Sequence, residues 1–146
     1  MTRFRTSAHV AHDERGFTLV ELLVVMLILA LLAAIAIPAF LGQADKATDA
    51  RAKSAVRTAE TAILSYATDN DGEFDGATVA GLEQIEPVLT GADLTVAASA
   101  DEYTLEVAAS TGNAFTIHRV AADRELTCVN AGHAGCPDGG DWSGAD

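Results

Sequence analysis

Glu21 is the one ionisable side chain in the 25 residues from Phe17 to Leu41, FTLVELLVVMLILALLAAIAIPAFL. A carboxylate there could work as a general acid or base, or it could pair with a cation. Acid–base chemistry needs a second titratable group or a polar substrate within reach, and the run supplies neither. Pairing needs a cation, and no basic residue follows Glu21 at helical spacing. Phe17, one turn earlier on the same helical face, would offer an α-amino group if the chain were cut between Gly16 and Phe17. The same residues also fit an uncut chain whose Glu21 sits near the membrane surface.

Cys128 and Cys136 are an even pair at short spacing in a segment expected outside the membrane, which points to a disulfide. Zinc held by Cys128, His133 and Cys136 is the alternative, without a firm fourth ligand or a recognised spacing. The loop TDNDGEFDG, residues 68–76, has some aspartates at calcium-loop positions. The full pattern fails, because its first and twelfth positions fall on Ala67 and Thr78. His9 and His12 lie before the apolar run, His118 on the polar side of a strand, and His133 in a loop. Ser54 and Ser65 have no catalytic partner placed by spacing, and GGDWSG lacks the lysine and helix of a phosphate loop. These residues imply no enzyme, no metal and no cofactor.

The elements that carry these residues follow from periodicity. As a helix, Phe17–Leu41 would be about 37 Å long, enough to cross a hydrocarbon layer of about 30 Å. Arg3, Arg5 and Arg15 precede it, which predicts that residues 1–16 stay in the cytoplasm and the rest is exported. No small-residue cleavage site follows the run, as a secretory signal would require. Helical spacing continues through Ala44, Ala47, Thr48, Ala52, Ala55, Val56, Ala59, Ala62, Ile63 and Tyr66, giving one apolar face and an amphipathic half over 42–69. Asp45, Lys46, Asp49, Lys53, Arg57 and Glu60 are expected on its opposite, solvated face. Pro38 removes one hydrogen bond and crowds the Ala34 carbonyl, so a kink or local melting is expected there.

Beyond the helix, Val79, Leu82, Ile85 and Leu89 space a short helix with Thr78 as N-cap. Strands are expected at 94–99, 102–109, 114–121 and 125–129, with Tyr103, Leu105, Val107, Phe115 and Ile117 on one apolar face. Four short strands bury little by themselves, so that face is expected to lie on the helix. The fold class is therefore α+β, a long N-terminal helix packed on a small antiparallel sheet. The tail from Cys128 onward reads as glycine-rich and irregular. Of the formal net charge of −12, residues 69–146 carry fifteen acids against Arg119 and Arg124, a net of −13. An acidic head of that kind repels phosphate and argues against direct nucleic-acid binding.

The stretch RGFTLVELLVVMLILALLAAIAIPAF resembles the class III signal and N-terminal helix of type IV pilins and type II secretion pseudopilins. The resemblance is strong over residues 15–42 and extends beyond them only in general layout. It implies a pilin-like chain with a cleaved leader at 1–16, a membrane and assembly helix at 17–41, the amphipathic half at 42–69 and a globular head at 70–146. It implies cleavage after Gly16 and N-methylation of Phe17 by a prepilin peptidase/N-methyltransferase. Glu21 matches the family's glutamate and Pro38 its helix proline, and a cysteine-closed C-terminal loop is also pilin-like. The implied role is a structural subunit of a type IV pilus-like filament, polymerised by helix packing with Glu21 paired to a neighbour's N-terminal amine. The implied partners are copies of itself, minor pilins, a membrane platform with its assembly ATPase, and lipid before assembly. The implied location is the inner membrane, single-pass with the head outside, and then an extracellular pilus or pseudopilus. A pseudopilin of a secretion or competence system, and an uncleaved single-span surface protein, are the alternatives.

Overall fold

The computed structural model describes residues 16–144. The leader expected at 1–16 therefore lies outside the described residues, apart from Gly16. The chain divides at Pro38–Ala39 into two compact units. A single assigned helix, α1 (Leu19–Asp69), begins in the first and ends in the second. It starts two residues later than the apolar run, because Thr18 caps it. The helix also continues through Pro38, so of the kink or local melting expected there the melting does not occur. One missing donor is tolerated when the turns on both sides keep their own bonds, since helix propagation is cooperative.

The second unit joins the later part of α1 to α2 (Val79–Ile85), a 3-10 turn (Pro87–Leu89) and four strands. The Thr78 hydroxyl accepts the Gly81 N–H and caps α2 as its spacing predicts. β1 (Asp93–Ala98), β2 (Glu102–Ala108), β3 (Ala114–Val120) and β4 (Asp123–Cys128) form an antiparallel meander in sequence order. Leu94 faces Val107, Leu105 faces Ile117, and Ile117 faces Leu126 across the ladders, so one sheet face is continuous apolar surface. That face is buried together with Ala52, Val56, Ala59, Ala62, Ile63 and Ala67 of α1 in one core. Alanine at four of those six helix positions lets backbone approach closely, which suits a thin core.

Three features depart from the pattern in the sequence. Asp49, expected on the solvated face, is fully buried. Its carboxylate accepts the Thr111 hydroxyl at 2.5 Å, the Asn113 Nδ2 amide at 2.5 Å and the Gly135 N–H at 2.7 Å. The same Asn113 nitrogen also donates to the His133 carbonyl at 3.0 Å. Gly135 has to be glycine here, since a Cβ would fall 2.6 Å from the Asp49 Cβ. The helix is thereby tied to the β2–β3 turn and to the loop that the Cys128–Cys136 disulfide closes. With both sulfurs bonded to each other, the zinc alternative through Cys128, His133 and Cys136 is overturned.

The tail is not irregular throughout. Trp142 is fully buried, stacks edge-on against Phe115 and donates its Nε1–H to the Thr127 carbonyl at 2.9 Å. Asp141 bridges to Thr127, so the tail runs along the outer edge of β4. Lys53 and Arg57, also expected on the solvated face, lie over the Trp142 ring at 5.9 and 5.1 Å. Finally, Glu60 takes a bidentate pair from Arg124, with both contacts at 2.6 Å, and the Tyr103 hydroxyl at 3.1 Å. The sheet and tail cover a wider arc of α1 than its apolar stripe, so charged residues at the stripe's margins acquire partners. Ala44 and Ala47 are exposed in turn.

Burial first, and the Glu60 carboxylate second, push the Tyr103 hydroxyl above its ordinary value of 10.0. The unfolded chain then ionises this tyrosine before the folded one does. Stability from this source is complete below about pH 10 and is lost as pH rises through the folded value. Thermal melts of the full chain in detergent should show the head's midpoint falling above about pH 10, and falling less steeply in Tyr103→Phe. Asp49→Ala strands three donors in the interior and should destabilise the head by about 3 kcal/mol or more, measured by denaturant unfolding with the disulfide intact.

Candidate functional site

Gly16, Phe17 and Thr18 precede α1 without helical or strand pairing. Thr18 then ends the irregular stretch. Its Oγ1 accepts the Glu21 N–H at 3.1 Å and its carbonyl accepts the Leu22 N–H at 3.2 Å. This is an N-cap in which the hydroxyl satisfies one of the orphan donors of the first turn. Glu21 occupies the third helical position, as glutamate does in a capping box. A negative charge there is also favoured by the positive end of the helix dipole. The Thr-x-x-Glu pattern before an apolar run was the signal for this cap.

From Leu22 to Leu41 the sequence is built for a helix that has no aqueous side. Leucine, alanine and methionine are good helix formers, and valine and isoleucine fill the remaining positions. Apolar side chains point in every direction, and none of the most apolar window of the helix is buried. Phe17 is 80% exposed and Ile35 77%. This helix is long and apolar enough to cross a membrane. Such a surface is stable only in lipid or against other apolar helices. Glu21 is the carboxylate that must be accommodated within it.

The site residues read from the sequence are split between the two units. Gly16, Phe17, Glu21 and Pro38 lie in the first, and Cys128 and Cys136 in the second. Within the first unit, Gly16 and Phe17 sit immediately ahead of the cap, and Glu21 supplies its N–H to it. His118, expected on the polar side of β3, is half-buried beside Thr104, with its Nδ1 2.9 Å from the threonine hydroxyl. His133 contributes its carbonyl to Asn113. Among the described residues, no group of three or more His, Cys, Asp or Glu side chains could hold a metal ion. Thr18 and Asp49 are the residues whose roles were missed. The first had a pattern that could have found it, and the second had none.

The prokaryotic N-terminal methylation motif matches residues 12–37 of the chain. The type II secretion system core protein G of Pectobacterium carotovorum is 40% identical over 60 residues, covering 41% of this chain and 38% of that protein. The type IV major pilin protein PilA of Myxococcus xanthus is 39% identical over 68 residues, covering 47% of this chain and 31% of that pilin. The competence protein ComGC of Halalkalibacterium halodurans is 32% identical over 60 residues, covering 41% of this chain and 59% of that protein. The chain thus spans about two fifths of the length of the secretion proteins it matches. No solved structure matches it. The apolar helix packed on an antiparallel sheet through its later part agrees with a pilin fold, and the methylation motif and these relatives make the chain similar, over its N-terminal part, to type IV pilins and type II secretion pseudopilins.

Proposed function

We propose that the chain is the precursor of a structural subunit of a type IV pilus-like filament. Cleavage between Gly16 and Phe17 removes the leader, residues 1–16, and the new Phe17 amine is methylated. The helix over 17–41 holds the subunit in the membrane and then packs against its counterparts in the filament core, with 70–146 forming the shell. Glu21 pairs with the Phe17 amine of a neighbouring subunit. The observation that carries this reading is an apolar helix surface left uncovered by the described residues, holding one carboxylate four residues after a potential new amine.

The energetics support the pairing. A carboxylate or an amine alone in hydrocarbon costs about 2.5–3.5 kcal/mol on insertion scales. Brought together at one depth they offset that cost, and a buried pair fixes register as well as energy. The partners of this reading are other copies of the chain, a prepilin peptidase and N-methyltransferase, minor pilins, and the membrane platform with its ATPase. A short pseudopilus is the second reading, and it rests on the several relatives that carry the name type II secretion system core protein G.

Mass spectrometry of sheared extracellular material should find a chain beginning with N-methylated Phe17. Processed chain confined to membranes would favour the short pseudopilus. An intact N-terminus found only in membranes would sink both and leave a single-span anchor. Glu21→Ala should be processed normally yet give no filaments, because removing one member of a buried pair costs about 3–5 kcal/mol. Normal filaments from that variant would remove the pairing from the account.

A further inference from the structure

We infer that Thr18 is a positioning residue for leader removal: its N-cap stops α1 two residues short of the Gly16–Phe17 bond and keeps that bond outside the helix. The inference rests on the cleavage proposed above. Hydrolysis adds water across this bond, leaving a carboxylate on Gly16 and the amine on Phe17. For that, the Gly16 carbonyl must be open to attack and the flanking backbone free to pair with the enzyme, as extended peptides do in the clefts that recognise them.

A helix would deny both. One further turn would turn the Gly16 carbonyl toward the Val20 N–H and the Phe17 carbonyl toward the Glu21 N–H. Among the described residues the first main-chain bond at this end runs from Leu22 to Thr18, and the Glu21 N–H is taken by the Thr18 hydroxyl instead. The cap therefore occupies a donor that helix extension would need. Little else in the sequence holds the helix back. The segment after Thr18 is strongly helix-forming, and helices propagate cooperatively from such a segment. Upstream, Gly16 alone resists, while Asp13 is the next residue able to cap. A helix capped at Asp13 would place the scissile bond inside its first turns. Phe17, at 80% exposure, is also presented outward rather than packed.

The side chain at 18 has a shape as well as a hydroxyl, and the two can be separated. Thr18→Val keeps the shape and removes the cap, whereas Thr18→Ser and Thr18→Asn change the shape and keep it. The experiment measures the rate of Gly16–Phe17 cleavage of the full-length precursor co-expressed with a prepilin peptidase. In parallel, the Cα chemical shifts of Gly16 and Phe17 are read in detergent micelles. The expected result is cleavage slowed roughly five-fold in Thr18→Val, with shifts at 16 and 17 moving toward helical values. Ser and Asn should restore both. Equal cleavage of all four chains would overturn the role of Thr18. So would a slow Val variant whose shifts do not move, or slow Ser and Asn variants beside a fast Val, since each would mean recognition of shape. A wild-type chain left uncut would instead refute the cleavage reading on which the inference stands.

Discussion

The apolar surface of α1 must be covered along its whole length, and the chain itself covers only part of it. Over the later part of the helix the sheet does so, burying Val56, Ala59, Ala62 and Ile63 completely. Before Pro38 the described residues provide no such cover, and Leu22 to Leu32 remain exposed. Each large apolar side chain left in water forgoes about 1.5–3 kcal/mol. Such a helix cannot rest as a free surface, and every later property of the molecule follows from what it is given to lie against. Lipid and other apolar helices are both chemically acceptable covers, so the filament proposed above can use one segment first as an anchor and then in a polymer core.

The head solves a different problem. Four short strands and a thin layer of alanines do not make a deep core, so polar contacts at the margins hold the layers in place. Asp49 ties the helix to two loops, Glu60 ties it to β2 and β4, and Trp142 closes the outer edge of β4. Each of these joins α1 or the last strand to a segment distant in sequence. The disulfide supplies the remaining constraint by closing the loop that carries Gly135.

Much of this was legible in the sequence, and what was not has a common cause. Strands alternate with period two, so Tyr103, Leu105 and Val107 declared both the sheet and its inner face. The apolar run declared the helix. Lys53, Arg57 and Asp49 could not be placed by the same rule, because a helical stripe marks where apolar residues lie and not how far a neighbouring layer will wrap. Asp49 is buried because donors 62 to 86 residues away converge on it, and no local pattern encodes that. Trp142 stood in a glycine-rich tail whose turns gave no periodicity. At the candidate site, Gly16, Phe17 and Glu21 are visible as a motif, whereas the Thr18 cap is legible only in the three-residue spacing to Glu21, which an uncapped apolar helix would show as well.

The long reach of the Asp49 contacts bears on the order in which the head can be completed. If the chain is anchored by α1 and crosses the membrane from that end, Asp49 arrives outside early, while Gly135 arrives 86 residues later. Until then the carboxylate keeps its water, because moving it into the interior without its donors is unfavourable. The helix face and sheet can meet beforehand, but the last of these contacts waits for Gly135. On the exported topology proposed above, passage and maturation are put in sequence by chemistry alone: a head locked through Asp49 is one whose Gly135 loop has already come through.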